Sequence, residues 1–217
     1  MSYQVKELYL SAQGEGARTG RAAVFLRFAG CNLWTGREKD RSTAICKFCD
    51  TDFVGTDGDG GGRFSEARDL AKAVSDKWPL EYAEAPEYAE APYVVCTGGE
   101  PLLQLDAQLI DAMHDRGFEI AIETNGTLGV PKGVDWICVS PKAGADFVAK
   151  SGDELKLIYP QLGVEPELFE GLSFANFFLQ PMDGPELRKN MASAAEYCMA
   201  HPKWRLSLQT HKLLGIP

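Results

Sequence analysis

The chain has 217 residues, and 22 lysines and arginines against 31 aspartates and glutamates give it a formal charge of −9. This acidic balance argues against bulk binding to nucleic acids or anionic membranes, which requires a basic surface. No signal-peptide pattern opens the sequence, and no apolar run reaches the roughly 18 residues of a membrane span. We therefore expect a cytoplasmic protein with no nucleic-acid or membrane partner, folded as one domain over residues 1–217.

Eight short runs of apolar, β-branched and aromatic residues predict β-strands along the chain. They cover residues 5–10, 23–28, 93–97, 118–123, 136–139, 154–159, 174–179 and 205–208. Helical patterns lie between several of these runs, so strands alternate with helices. This alternation favours βαβ units, and we expect an α/β fold whose mostly parallel sheet is open or closed into a partial (incomplete) β/α barrel.

Three segments carry apolar residues at the spacing of an α-helix. The first covers residues 65–78 with Ser65 as its cap, and the second covers 103–116 with Gly117 as its stop. The third covers residues 185–201 and begins with a proline, which suits the first turn of a helix. We expect one apolar stripe on this third helix, formed by Met191, Ala195 and Met199.

Polar residues follow six of the predicted strands at the point where each strand ends. These tails are residues 27–31, 97–101, 123–126, 140–142, 180–183 and 209–212. The carboxyl ends of parallel strands meet at one edge of a sheet, and α/β proteins bind their ligands there. The tails therefore predict a binding site at this edge.

The six cysteines divide into two groups by their surroundings. Three stand alone in apolar stretches, and we expect them to be small buried residues: Cys96, Cys138 and Cys198. The other three lie within nineteen residues of polar, turn-rich sequence: Cys31, Cys46 and Cys49. Such a group in a cytoplasmic chain, where thiols stay reduced, suggests metal ligation.

Two metal sites are compatible with this cysteine group. A structural zinc ion needs four protein ligands, and only His211 could approach from a distant strand end as the fourth. The hypothesis of a zinc site is therefore weakened but stays open. An iron–sulfur cluster held by three cysteines leaves one iron open to a further ligand. The stretch Thr97-Gly98-Gly99-Glu100 offers glycine-rich backbone that lets a small polar ligand come close, with a carboxylate attached.

Two segments have a biased composition and receive no chemical role. Residues 81–92 repeat the hexapeptide Glu-Tyr-Ala-Glu-Ala-Pro, which suggests a solvated connection lengthened by duplication. Residues 55–62 are rich in glycine and aspartate, but they lack the pattern of a phosphate-binding or calcium-binding loop. We expect a flexible loop there.

Motifs from residue 13 to the end of the chain form an ordered set. They are Gln13-Gly14-Glu15-Gly16, Phe25-Leu26-Arg27-Phe28-Ala29-Gly30-Cys31, Cys49-Asp50-Thr51, Thr97-Gly98-Gly99-Glu100-Pro101, Glu123-Thr124-Asn125-Gly126, Ser140-Pro141-Lys142, Gln180-Pro181-Met182-Asp183 and Gln209-Thr210-His211-Lys212. In this order the sequence resembles the 7-carboxy-7-deazaguanine synthases, a family of radical S-adenosylmethionine (SAM) enzymes. The resemblance covers the whole chain.

This resemblance implies a [4Fe-4S] cluster and SAM as cofactors. Cluster ligation would fall to Cys31, Cys46 and Cys49. The implied SAM contacts are Phe48, Cys49, Asp50, Gly99, Ser140, Pro141, Lys142, Gln180, Pro181, Met182 and Asp183. In such enzymes the reduced cluster passes an electron to SAM, which yields a 5′-deoxyadenosyl radical, and the protein positions one substrate hydrogen beside it.

The implied reaction is the ring contraction of 6-carboxy-5,6,7,8-tetrahydropterin to 7-carboxy-7-deazaguanine with loss of ammonia. Substrate contacts would be Ala12, Gln13, Gly14, Arg27, Thr97 and Pro217, and Arg27 suits the substrate carboxylate because its planar fork can bind both oxygens. Arg27 could instead pair with an acid on the rim of the sheet. The family further implies Mg2+ at Thr51, an electron donor such as flavodoxin, and a homodimer.

One feature departs from the usual pattern of these enzymes. Radical SAM enzymes usually space their cysteines Cys-x3-Cys-x2-Cys, whereas fourteen residues separate Cys31 from Cys46. Lengthening such a loop by eleven residues costs only about 1 kcal/mol in closure entropy, which is small beside metal–thiolate bonds. We therefore interpret residues 32–45 as an insert that leaves cluster ligation intact.

Two other functions stay open at this point. One is a glycyl-radical activating enzyme of the same superfamily, and the other is a non-catalytic, zinc-stabilised binding protein. Four residues near the predicted site receive no role: Glu15, Glu123, Asn125 and His211.

Overall fold

The computed structural model of the chain describes residues 2–79 and 91–217. Apart from residues 91 and 92, the hexapeptide repeat lies outside the described residues. In the described part of the chain, no helix is long and apolar enough to cross a bilayer.

Nine strands of the described residues form one sheet in the order β3-β1-β2-β4-β5-β6-β7-β8-β9. Their bounds are β1 Tyr3–Ala12, β2 Ala22–Phe28, β3 Gly62–Phe64, β4 Tyr93–Gly98, β5 Glu119–Thr124, β6 Trp136–Val139, β7 Ser151–Tyr159, β8 Ser173–Pro181 and β9 Trp204–Leu206. Strands β2 and β4 to β9 are parallel, while β1 runs antiparallel to β2 and β3. The eight predicted strands and the mostly parallel sheet are confirmed; β3, a three-residue edge strand that begins with glycine, carried no sequence signal.

Four α-helices lie among the described residues: α1 Ala67–Lys77, α2 Ala107–His114, α3 Leu187–Ala200 and α4 Thr210–Leu214. Ser65 as the cap of α1 is wrong, because Glu66 occupies the cap position. The second helix begins later than predicted, since Pro101–Leu103 form a 3-10 turn and the Asp106 carboxylate then caps α2 by accepting from the Leu109 amide. Gly117 adopts a φ of 79°, a left-handed conformation that suits a helix stop.

The apolar stripe predicted for α3 is wrong. Met199 is 79% exposed. The face of α3 that packs against the sheet instead carries Ala194, Tyr197 and Cys198, with Asn190 buried beside them. Asn190 is polar but satisfied, because its side-chain amide donates to the Met182 carbonyl over 2.9 Å. A search for apolar residues alone misses the buried face of this helix, because one of its positions is an asparagine.

The two faces of the sheet have different chemistry because successive side chains of a strand point to opposite faces. On the outer face, apolar residues such as Val24, Leu26, Val94 and Ile122 pack against α1 and α2, and a second cluster joins α3 to β7, β8 and β9. The inner face is concave. It has a small apolar patch around Tyr93, Val95 and Ala121, and polar side chains gather toward the carboxyl ends of its strands.

Residues 13–16 reach this concave face from an unexpected direction. Strand β1 is antiparallel to β2, with Ala12 paired to Ala22, so β1 ends at the amino edge of the parallel strands. From there the chain crosses to the opposite side of the open barrel. The Gly14 carbonyl accepts from the Thr210 amide, and the Gly16 amide donates to Ser207 Oγ.

Candidate active site

A cavity of about 350 Å3 opens on the concave face at the carboxyl ends of the parallel strands. All six predicted strand tails contribute residues to its lining, including Arg27, Thr97, Glu123, Ser140 and Gln180. The volume lies at the lower end of the range typical of small-molecule sites. The prediction that these tails meet at one edge of the sheet is confirmed, and the binding of a ligand there stays a prediction.

Most of the predicted site residues border this one cavity. They are Ala12, Gln13, Gly14, Arg27, Cys31, Cys46, Phe48, Cys49, Asp50, Thr51, Thr97, Gly99, Ser140, Lys142, Gln180, Pro181, Asp183 and Pro217. Pro141 and Met182 do not border it. Pro141 is buried within its turn, and the Met182 carbonyl is committed to Asn190. The binding roles of all these residues stay predictions.

Three free thiols, those of Cys31, Cys46 and Cys49, share the rim of the cavity. A hydrogen bond from the Cys46 thiol lowers the pKa of Cys49 to about 6 and raises that of Cys46, whereas burial raises the pKa of Cys31. Within residues 2–79 and 91–217, no three His, Cys, Asp or Glu side chains converge closely enough to hold a single metal ion. Three thiols at one cavity match the number of protein ligands in an iron–sulfur cluster that keeps one iron open.

The glycines after β4 pack directly on the segment that carries Cys31. A Cβ added to Gly99 would lie 2.0 Å from the Gly30 carbonyl oxygen and 2.9 Å from Cys31 Cβ. Gly98 adopts a φ of 124°, and a Cβ there would meet the Phe28 carbonyl oxygen at 2.2 Å. Only glycine permits this close approach of the two backbones, which places Gly99 beside Cys31.

Glu100 does not offer its carboxylate to the cavity, contrary to our expectation. It is fully buried, and it accepts hydrogen bonds from the Leu102 amide, Thr124 Oγ1 and the Asn125 amide at 2.7–3.0 Å. Burial raises the pKa of Glu100. This carboxylate therefore joins the end of β4 to the turn after β5 and holds that part of the rim in shape.

The insert at residues 32–45 is packed against the cysteine loop. Trp34 is buried and makes an edge-on contact with Phe53, and the Arg41 guanidinium stacks over the Trp34 ring at 4.0 Å. Arg41 also donates to the carbonyls of Lys47 and Cys49, over 2.9 and 3.1 Å. The insert thus fixes the backbone on both sides of the last cysteine.

Arg27 borders the cavity while two groups on β1 hold its side chain. Its Nε donates to Glu7 Oε1 over 2.6 Å, and its Nη2 donates to the Tyr9 hydroxyl over 2.9 Å. Arg27 therefore pairs with an acid, as one of our two interpretations expected, yet its guanidinium still faces the cavity. Neither Glu7 nor Tyr9 was predicted from the sequence.

A charged network that the sequence motifs did not reveal forms the floor of the cavity. The Lys156 side chain is 5% exposed; its ammonium pairs with Glu15 and lies 3.6 Å from Glu123. Burial disfavours the Glu15 carboxylate, but Lys156, Gln209 and Gln180 outweigh this effect and lower its pKa to about 2. The sequence contains one signal of this network: Lys156 stands between Leu155 and Leu157. A charged residue that alternates with apolar residues in a strand indicates that one face of the sheet is polar.

Cys138 belongs to this floor rather than to an apolar core. Its side chain is buried, as predicted, but it borders the cavity, and its thiol lies 3.5 Å from Glu154 Oε1. Burial raises the pKa of this thiol well above its ordinary value. Cys96 is fully buried, as predicted, whereas Cys198 is half-buried.

The last residues of the chain, 207–217, cover one side of the cavity and are called the closing segment below. Gln209 Nε2 donates to Glu15 over 3.0 Å, and His211 lies so close to Gly14 that a Cβ there would meet its ring nitrogen at 2.0 Å. Lys212 Nζ lies 2.5 Å from a carboxylate oxygen of both Asp50 and Asp183. Gln209, His211, Lys212 and Pro217 all border the cavity.

The partial β/α barrel, with three thiols and a glycine-rich strand end beside one cavity, defines a radical SAM enzyme. No family model matches the chain. The 7-carboxy-7-deazaguanine synthases of Bradyrhizobium diazoefficiens and Bordetella pertussis are 61% and 60% identical to it, and each alignment covers all of both chains. The crystal structure of QueE from Escherichia coli matches with a TM-score of 0.64 and 28% identity over 96% of this chain and 94% of that one. The chain belongs to the 7-carboxy-7-deazaguanine synthase family.

This membership decides between the functions left open by the sequence. The chain is an enzyme, so the zinc-stabilised binding protein is excluded as its function. The glycyl-radical activating enzyme is set aside as well, because the full-length matches place the chain in the synthase family.

Proposed function

We propose that the chain converts 6-carboxy-5,6,7,8-tetrahydropterin to 7-carboxy-7-deazaguanine by radical ring contraction with loss of ammonia, in a deazapurine (queuosine-type) pathway. One observation carries the proposal: a single cavity is bordered at one end by the three thiols and Gly99, and elsewhere by Arg27, Gln13 and Thr97. The predicted cofactor groups and the predicted substrate groups therefore face the same space.

The residues present fit the implied cofactors. Cys31, Cys46 and Cys49 would ligate a [4Fe-4S] cluster, and Gly99, which packs on the backbone of Gly30 and borders the cavity, would meet the amino acid part of SAM. When bound, the reduced cluster and SAM supply a 5′-deoxyadenosyl radical that removes a hydrogen atom from the substrate. The Lys142 ammonium donates to the carbonyl and hydroxyl oxygens of Ser140 over 2.6 and 2.7 Å, which fixes this predicted SAM-binding turn.

The proposed substrate contacts combine a fixed cation with amide groups. Glu7 and Tyr9 hold the guanidinium of Arg27 beside the cavity, where it would bind the substrate carboxylate. The side-chain amide of Gln13 donates to Glu123 over 3.0 Å, which fixes the segment that would meet the pterin edge together with Thr97. Holding these groups before the substrate arrives reduces the entropy lost on binding.

Thr51 fits a magnesium ion that takes few ligands from the protein. The two acids beside it are already paired, Asp50 with Lys212 over 2.5 Å and Asp52 with Lys6 over 2.9 Å. An ion at Thr51 would therefore draw its other ligands from water and substrate oxygens. Mg2+ is often bound in this way.

The remaining parts of the proposal concern partners and location. A one-electron donor such as flavodoxin would reduce the cluster, and the enzyme would act as a homodimer in the cytoplasm. The proposal includes neither a nucleic acid nor a membrane as a partner.

The test is anaerobic incubation of the reconstituted enzyme with SAM, dithionite, Mg2+ and the carboxytetrahydropterin. We expect 7-carboxy-7-deazaguanine and 5′-deoxyadenosine, together with about four irons and four sulfides per chain. If SAM is cleaved while the pterin is recovered unchanged, the substrate assignment is wrong. If the protein binds zinc without sulfide, the cluster assignment is wrong.

A further inference from the structure

We propose that Lys212 is a positioning residue that couples SAM binding to substrate binding through the closing segment. The inference deepens the proposed function and rests on it, because that function assigns Asp50 and Asp183 to SAM and residues 12–14 to the substrate. Lys212 itself received no role from the sequence.

Lys212 joins two acids that stand far apart in the sequence. Asp50 follows the last cysteine, and Asp183 follows β8; each has a carboxylate oxygen 2.5 Å from Lys212 Nζ. These two oxygens therefore lie within about 5 Å of each other, where two like charges repel unless a cation stands between them. Without the ammonium the two acids would separate, and both border the predicted SAM region of the cavity.

The same short helix also holds the substrate end of the cavity. Two residues before Lys212, Thr210 donates its amide to the Gly14 carbonyl over 2.9 Å and its hydroxyl to the same oxygen over 3.0 Å. His211, which stands between Thr210 and Lys212 in the sequence, packs against Gly14. Gln209 adds a further link, because its side-chain amide donates to Glu15 over 3.0 Å and to Asp50 over 3.4 Å.

Helix α4 and the residue before it therefore contact both binding regions through four consecutive residues, Gln209 to Lys212. A ligand that fixes Asp50 and Asp183 also fixes Lys212, and with it the position of Thr210 and His211 against Gly14. Linkage requires that the effect be reciprocal: if the substrate tightens the binding of SAM, SAM tightens the binding of the substrate by the same factor.

A simple surface ion pair is the alternative, since the Lys212 side chain is 39% exposed. Such pairs add little to stability. The two interpretations differ in what the loss of Lys212 changes. A surface pair predicts unchanged ligand affinities, whereas the coupling role predicts that each ligand loses its effect on the other.

The experiment measures the affinity of the cluster-loaded enzyme for S-adenosylhomocysteine, which cannot be cleaved to the radical, by calorimetry with and without saturating carboxytetrahydropterin. In the wild type we expect the pterin to lower the Kd by about tenfold, within the usual range of coupling between sites. In Lys212→Met we expect the ratio of the Kd without the pterin to the Kd with it to fall below about twofold. Lys212→Arg should keep most of it, because a guanidinium fork can pair with both carboxylates.

Lys189→Met is the matched control, because Lys189 is an exposed lysine on α3 that pairs with Glu186 over 3.5 Å. Iron content and the unfolding temperature of each variant establish that it is folded and loaded. Should Lys212→Met fail this check, Asp183→Asn removes one partner of the ammonium and must reduce the same ratio.

The proposal is overturned if Lys212→Met keeps the wild-type ratio, if Lys189→Met loses it equally, or if the wild type binds the pterin in a separate titration and still shows no coupling. The proposal is also overturned if the Asp183→Asn variant is folded, carries the cluster and keeps the ratio. Failure of the proposed function would look different, since the wild type would then bind S-adenosylhomocysteine but not the pterin.

Discussion

At the scale of single residues, the cavity depends on charges whose partners lie outside any motif. Arg27 was predictable because it stands in a recognisable stretch, but Glu7, which holds it, was not. The register between β1 and β2 shifts between Val5 and Glu7, so both Val5 and Leu8 face the outer core. Strict alternation from Val5 would place Glu7 on the outer face; the bulge turns it inward instead.

Replacement of Glu7 by Gln tests the support of Arg27. The amide cannot offer Arg27 Nε a charged acceptor, so the guanidinium loses its fixed direction toward the substrate carboxylate. We expect KM for the pterin to rise by about tenfold, which corresponds to about 1.4 kcal/mol, with kcat changed much less. Asp76→Asn, which breaks a surface pair with Lys72, is the control and should leave both constants unchanged. Equal losses in kcat and kcat/KM would contradict this role.

The pair of Glu15 and Lys156 makes a prediction about pH. The pKa of Glu15 is about 2 in the folded protein and near 4.5 ordinarily, so the unfolded chain binds the proton first as the pH falls. The pair therefore stabilises the fold fully above about pH 5, and this contribution disappears as the pH falls toward 2. Replacing Glu15 alone should cost on the order of 3 kcal/mol at neutral pH, because it leaves the Lys156 charge buried without its closest partner.

Denaturant unfolding of the wild type and Glu15→Gln at several pH values measures this contribution. The difference in the free energy of unfolding should be largest above pH 5 and shrink steadily below it. Glu186→Gln, which alters an exposed pair on the surface, should show no such trend. A difference that does not vary with pH would show that Glu15 is not held as a buried carboxylate.

At the scale of secondary structure elements, the meeting of the strand tails, residues 209–212 among them, was predictable, but the short helix α4 that begins in the last tail was not. Each tail follows a strand with a strong apolar signal, and parallel strands bring their ends together by geometry alone. Helix α4 has only five residues and none of them is buried. Its position comes from side chains such as Gln209 and Lys212 that bond to partners more than 150 residues away. Local sequence carries no trace of such contacts.

Substitution of Gly14 by alanine tests how closely the closing segment must approach. The new methyl group would lie 2.0 Å from His211 Nδ1, so the segment must move away from residues 13–16. We expect product formation to fall by at least about tenfold, because a displaced segment opens the substrate end of the cavity. Iron content should stay unchanged, since the cysteines lie elsewhere on the rim.

Gly171→Ala is the matched control, because a Cβ at that position meets nothing within 4 Å. Activity assays and iron analysis of the two variants separate the effects. If Gly14→Ala keeps full activity, the contact between Gly14 and the closing segment is not needed for the reaction.

At the scale of the whole molecule, the site unites residues from nearly the full length of the chain. The lining extends from Glu7 to Pro217 and includes side chains from the inner face of most strands. The sequence predicted this convergence for the parallel strands, because their order and ends are local signals. It could not reveal that β1 runs the other way, since the direction of a strand depends on its partner.

Filling such a site should therefore stabilise the entire fold. Ligand at 100 times its Kd adds about 2.7 kcal/mol to the free energy of unfolding, which corresponds to a rise of about 5–10 °C in Tm for a domain of this size. We expect this rise when S-adenosylhomocysteine and the pterin are added together to the loaded enzyme, measured by differential scanning fluorimetry. Adenosine alone serves as the control. A Tm that stays constant in the presence of both ligands would show that the folded enzyme does not bind them.

The closing segment also determines when the site is completed during synthesis. A ribosome releases the chain from its amino end, so the three thiols and most strands are exposed well before residues 207–217 emerge. Until then, Gly14, Glu15, Asp50 and Asp183 lack their late partners, and the mouth of the barrel stands open on that side. During this interval small ions can enter the cavity from the side that residues 207–217 later cover. Residues 207–217, which are translated after every other residue of the lining, then close this side of the pocket.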